Sequence, residues 1–224
     1  MHFDYQPTLR GELVALRPLH DGDYDALYEV ASDPGIWEQH PANRNERAVF
    51  QEFFREAVES GGTLLAMEAE TGRVIGSSRF HGYDPERKEV EIGWTFLARS
   101  HWGGLYNGEM KRLMCEHAFR FAESVVLLIA PENVRSQRAA EKVGAVRDGT
   151  RPDAYGRICH VYRVTAADLV RVRINVIWQA SLPLLPPICP PPPSPSSRAV
   201  TSGSHARTST PSSGWCSAAV RRMG

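Results

Sequence analysis

Aspartate, glutamate and lysine are absent from Ile174 to Gly224, where the only charged side chains are Arg198, Arg207, Arg221 and Arg222. Nine of the 16 prolines fall between Pro183 and Pro211 among many Ser and Thr residues, which excludes a packed core of helices or strands there. We expect residues 174–224 to be a disordered tail or a non-native, for instance out-of-frame, extension, and composition leaves both open. Cysteine is scarce too: Cys115, Cys159, Cys189 and Cys216 show none of the close spacing that zinc or redox motifs require. No metal is expected, and Cys115 and Cys159 read as ordinary thiols of a reducing compartment. No run of 18 apolar residues exists, and the start, Met-His-Phe-Asp-Tyr-Gln-Pro, lacks the pattern of a signal sequence, so a cytoplasmic protein without membrane contact is expected. Residues 1–173 hold 22 basic against 26 acidic side chains, a net charge of −4, which gives no footprint for nucleic acid.

What is present is a regular alternation of elements over residues 1–173. Leu13 to Leu19 reads as a strand ending at Pro18, and Asp21 opens a helix with Tyr24, Leu27, Tyr28 and Ala31 on one stripe. A second helix runs from Asn45 to Ser60, with Val49, Phe53 and Ala57 along it and Gly61-Gly62 beyond. Strands follow at Thr63 to Glu70, Arg73 to Gly82 and Glu89 to Phe96. Their links are too short for helical crossovers, so they are antiparallel neighbours. A helix from about Gly104 to Ala122 leads to the apolar run Val125 to Ala130, a strand parallel to 89–96 and buried on both faces. A helix from Asn133 to Val143 and strands at Ala145 to Arg147 and Ile158 to Thr165 close the domain. Met110 and Met114 are assigned to the core, and His117 to packing.

Chemistry gathers between Glu89 and Gly108. Val90, Ile92, Trp94 and Phe96 alternate with Glu89, Glu91, Gly93 and Thr95, which predicts a strand with one packed face and one free. The helix that follows opens at or just before Gly108, and its first amides lack intrahelical partners. With Gly103, Gly104 and Gly108 admitting a close approach, the turn suits a phosphate.

The order of elements, with Val74-Ile75-Gly76-Ser77, Glu91-Ile92-Gly93-Trp94, Trp102-Gly103-Gly104 and Asn133 to Gly144, resembles the GNAT superfamily of N-acetyltransferases over residues 10–165. The likeness is closest to the ribosomal-protein alanine acetyltransferase subgroup. It implies a single α+β domain in α/β/α layers, with a mixed, mostly antiparallel sheet splayed between its fourth and fifth strands (89–96 and 125–130). It also implies acetyl-CoA as co-substrate: pyrophosphate on Trp102, Gly103, Gly104, Leu105, Tyr106, Asn107 and Gly108, and pantetheine along Phe96, Leu97 and Arg99 and beside Asn133. Glu91 is then the candidate base, Ser136 a donor near the thioester sulfur, and Trp37 and His40 the acceptor-binding residues. The family turn usually reads Gln or Arg, two residues, Gly, one residue, then Gly or Ala. Those positions fall here at Trp102, Leu105 and Asn107, with the glycines displaced to 103, 104 and 108. The tyrosine that serves many relatives as acid is absent after the fifth strand.

Residue chemistry alone also allows plainer roles. Glu91 can be a solvated strand carboxylate, and Asn133 an N-cap accepting from the Ser136 amide. The expected acceptor is a small-molecule amine or a protein N-terminus, handled by a monomer or homodimer. A CoA-binding sensor without turnover and an interaction module working through the Pro-rich tail are the alternatives.

Overall fold

The structure, a computed structural model, describes residues 2–40 and 42–170. The expectations for 174–224 lie outside them. Eight strands form one sheet in the order β1-β2-β3-β4-β5-β6-β8-β7. They are β1 (Leu9–Arg10), β2 (Val14–Pro18), β3 (Thr63–Glu68), β4 (Val74–Asp84), β5 (Glu89–Leu97), β6 (Ser124–Ile129), β7 (Val146–Pro152) and β8 (Ile158–Thr165). All pairings are antiparallel except β5 with β6, which is parallel as its helical crossover requires. The two-residue β1 is too short to carry an alternation and escaped the sequence reading.

Helices α1 to α4 cover both faces. On one side α1 (Tyr24–Ala31) and α2 (Arg47–Glu59) bury Leu27, Ala31, Phe50, Phe53, Phe54 and Ala57 against Leu65 and Phe96. On the other, α3 (Leu105–Ala118) and α4 (Val134–Lys142) bury Met110, Met114, Ala118 and Ala140 with Val90, Ile92, Val125 and Leu127. The helical stripes read from sequence are thus the packed faces, except that Val49 is half-buried outside both cores, and Met110 and Met114 are fully buried. His117 is packed as expected, its Nε2 2.8 Å from the Asp4 carbonyl oxygen. The crossover helix α3 ends at Ala118, four residues before the expected Ala122.

One expectation fails in β5. Arg79 pairs with Gly93 but Ser77 with Phe96, so the register with β4 slips by one residue, and Trp94 takes a left-handed φ of 48°. This bulge turns Trp94 and Phe96 to the α1–α2 side, whereas Val90 and Ile92 face α3. Opposite the bulge, Gly76 has φ 152°, and a Cβ there would fall 2.0 Å from the Phe96 carbonyl oxygen, so only glycine fits. The strand face expected to be free is not free at its start either, because Glu89 is buried.

Candidate active site

The β5–β6 pairing is short. It runs from Glu89 opposite Ser124 to Glu91 opposite Val126 and then stops, while β5 stays paired with β4 as far as Leu97. The sheet therefore opens as a V, with backbone groups of β5 beyond Glu91 unpaired on the β6 side. Below the vertex, the buried Glu89 carboxylate accepts from Arg151 Nη1 and Arg163 Nη1, both at 2.6 Å, and Arg163 also donates to Ser124 Oγ at 2.7 Å. These bonds tie β5, β6, β7 and β8 together where the V closes.

Glu91 sits at the vertex, half-buried, with no hydrogen-bond partner among the described residues. Burial pushes its carboxyl up to about 7, with Arg151 and Arg79 opposing and Asp153 and Glu89 adding to the rise. Its Oε1 lies 3.1 Å from where a Cβ on Gly93 would stand, so the glycine leaves the space that the carboxylate uses.

Past Leu97 the chain makes a 3₁₀ turn over Arg99–His101 and enters α3 through Gly103 (φ 101°) and Gly104 (φ 139°). The first intrahelical bond runs from the Gly108 amide to the Gly104 carbonyl, leaving the amides of Leu105, Tyr106 and Asn107 without intrahelical acceptors. No side chain caps the helix, and added Cβ atoms at Gly103, Gly104 and Gly108 would meet nothing within 4 Å. The turn is anchored from behind: His101 is buried against Tyr106, ring centroids 4.5 Å apart, and its Nε2 lies 2.8 Å from Glu68 Oε1. Glu68 is drawn down to about 2 by its bonds from Arg73, Thr71 and His101. Ser100 Oγ approaches His101 Nδ1 at 2.9 Å, a serine–histidine contact that the sequence reading did not anticipate. The imidazole, buried and held by a neighbour of its own turn, positions the loop.

Of the other sequence candidates, Arg99 lies in the 3₁₀ turn after β5 and directs its Nε to Asp33 Oδ2 at 2.6 Å. The Leu97 carbonyl accepts from Trp102 Nε1 at 2.9 Å, and Arg135 lies 4.2 Å over the same indole while donating to the Ile36 carbonyl. Asn133 caps α4 by accepting from the Ser136 amide at 3.1 Å, as its local chemistry suggested. Trp37 is buried: its Nε1 donates to the Ala31 carbonyl and its ring packs 5.1 Å from Phe96. His40 is pushed down to about 4 by burial and by Arg44 and Arg157, so it is neutral at physiological pH. Among the described residues there is no cluster of metal-ligating side chains and no helix long and apolar enough to cross a membrane.

A search of curated proteins found no match, whereas the model of the acetyltransferase (GNAT) domain matches residues 14–146. The chain belongs to the GNAT acetyltransferase family. Among solved structures, a GCN5-related N-acetyltransferase from Brucella melitensis aligns at a TM-score of 0.66 and 20% identity, over 78% of this chain and 85% of its own. An acetyltransferase from Agrobacterium tumefaciens str. C58 aligns at 0.56 and 26%, over 73% and 96%. Mycobacterium smegmatis RimJ in complex with CoA-disulfide aligns at 0.57 and 17%, over 78% and 93%. The expected family and layered fold are thereby established, and the ribosomal-protein subgroup is not.

This GNAT domain also gathers residues that sequence reasoning missed. Arg79 of β4, Arg44 before α2 and Tyr155 of the β7–β8 loop surround the α1–α2 side of the V; Tyr155 Oη reaches Glu56 Oε2 at 3.2 Å. Arg44 and Tyr155 are 111 positions apart in the chain. Only the tertiary fold brings such residues together, and no local motif marks them.

Proposed function

We propose that this protein transfers an acetyl group from acetyl-CoA to a primary amine by direct attack, without a covalent enzyme intermediate. The observation that carries this reading is Glu91: an unpaired carboxylate at the vertex of the V, with its proton affinity raised to about 7, where a general base for an ammonium is most useful. Acetyl-CoA supplies the activated acyl group and its thiolate leaving group. The free amides and open glycines of the 103–108 turn fit a pyrophosphate, with Trp102, Leu105, Tyr106 and Asn107 supplying the remainder of the cradle. Backbone groups of Phe96, Leu97 and Arg99 line the V for pantetheine. The Leu97 carbonyl joins them once the Trp102 indole moves aside. Asn133 and Ser136 flank the groove from α4, and Trp37 and His40 border the acceptor. Glu91 takes a proton from the incoming amine. Against a covalent relay, the Cys115 thiol is buried and pushed up to about 12. The resemblance to the ribosomal-protein alanine acetyltransferases concerns this machinery and leaves the acceptor open.

Calorimetry with acetyl-CoA and thiol release over a panel of amines test the reading. Saturable binding that Gly104→Asp weakens at least tenfold is expected, because an anion at the helix start repels phosphate and the position needs positive φ. Absence of binding in the millimolar range overturns it, and binding without any thiol release identifies a CoA sensor instead.

A further inference from the structure

Two guanidinium groups face the Glu91 side of the sheet without a bonded carboxylate among the described residues. Arg79, opposite Gly93 in the β4–β5 ladder, is only 4% exposed. Its Nε donates to Thr63 Oγ1 at 2.9 Å, it lies 4.6 Å from the centre of the Trp94 ring, and its Nη2 has no hydrogen-bond partner among the described residues. The Arg44 guanidinium lies 4.2 Å over Phe53 and 5.5 Å from the Trp37 ring centre, with no ion pair or side-chain hydrogen bond among the described residues. The rings form one wall: Trp37 and Phe53 both pack on Phe96, and His81 packs on Trp94.

Burial brings Arg44 down to about 10, and the nearby charges of Arg79 and Arg157 add to the fall. Among the described residues no carboxylate is hydrogen-bonded to Arg44 or Arg79: Glu56 acts on both only at a distance and accepts from Tyr155, and Asp153 is bound to Arg157 at 2.7 Å. Two desolvated guanidiniums without a bonded carboxylate present a positive charge that a further anion would match, and guanidinium forks suit carboxylates.

We propose that the acceptor is a free amino acid, its carboxylate held by Arg44 and Arg79, its amino group presented to Glu91 and its apolar side chain laid on the aromatic wall. This inference rests on the acetyl-transfer reading. A polyamine would bring further positive charge to the arginines, and the α-carbonyl of a protein N-terminus carries no charge for them to bind. The chemistry balances: the ammonium gives one proton to Glu91, the freed electron pair bonds the acetyl carbon, and the C–S bond breaks with its pair on sulfur. The second amine proton neutralises the thiolate.

The test uses phenylalanine and methionine, their amides, phenethylamine and spermidine as acceptors in thiol-release assays. In parallel, N-acetylphenylalanine and its amide are titrated by calorimetry, which needs no turnover. The free amino acids should exceed amides and simple amines by at least 10²-fold in kcat/KM, with spermidine inactive. N-acetylphenylalanine should bind and its amide should not. Arg44→Gln should cut the carboxylate preference at least tenfold with CoA affinity unchanged. Arg79→Gln should do the same, and if it unfolds, the more exposed Arg44 decides the matter. Equal use of amides, a preference for spermidine, or an unchanged ratio in Arg44→Gln overturns the inference while transfer itself stands. Arg44-dependent binding of N-acetylphenylalanine without CoA binding leaves the anion site and removes the transfer reading. No binding of either N-acetyl probe, with no amino acid turned over, overturns the inference outright.

Discussion

Glu89 and Glu91 point to the same side of one strand and are driven in opposite directions by what surrounds them. For Glu89, burial favours the proton, but bonds from Arg151 and Arg163 outweigh it and hold the carboxyl below its usual range. Glu91 has the burial without the bonds and rises to about 7. Two carboxylates thus meet two environments, one a clamp and the other the base we propose. Glu91→Gln should lower kcat/KM for the acceptor about 10²-fold and leave the CoA dissociation constant nearly unchanged. Because the base works deprotonated, wild-type kcat/KM should climb between about pH 6 and 8, and the variant should lose that acidic limb; full activity of the variant across this range would rule Glu91 out. Stability has a matching sign. A carboxyl whose folded pKa is raised costs stability as pH rises from its unfolded value through about 7, so Glu91→Gln should melt higher than wild type at pH 8 and alike at pH 4.

At the scale of elements, the V between β5 and β6 depends on where their pairing is forced to stop. Glu89 holds the closed end by joining β5 to Arg151 of β7 and Arg163 of β8, and the bulge at Gly93–Trp94 turns β5 beyond it. Glu89→Gln leaves two guanidiniums around an uncharged amide, and we expect a loss of about 3 kcal/mol, read as a lower urea midpoint at pH 7. The sign with pH follows from the lowered folded pKa. The carboxylate's contribution is present above the unfolded value and vanishes as pH falls through the folded one, so the gap between variant and wild type should narrow as pH drops below the unfolded carboxylate value of about 4.3. A gap that stays the same on acidification would point to packing instead of charge. The helix elements were legible because burying a stripe requires the 3.6-residue period. The β5 faces were misread because a bulge adds one residue without changing the apolar composition.

For the whole molecule, both cores lie within the described residues, one between the sheet and α1–α2, the other between the sheet and α3–α4. Residues 174–224 offer no periodic apolar face for either core. A chain ending at Arg173 should therefore melt within about 2 °C of the full one; a fall of several degrees, equivalent to roughly 1 kcal/mol or more, would mean that the tail packs.

The sequence alone determined the helices, the antiparallel run from residue 63 to 97, the parallel β5–β6 unit, the Asn133 cap and the glycine turn into α3. Each is set by side-chain period, connection length or backbone freedom within a few neighbouring residues. Tertiary structure alone decided that Trp94 and Phe96 change sides, that Glu89 is clamped while Glu91 is left unpaired, that Trp102 lies on Leu97, and that Arg44 comes near Arg79. Those outcomes depend on desolvation and on contacts between segments distant in the chain. No local pattern encodes them, because the energy of a buried charge is set by what the fold brings against it.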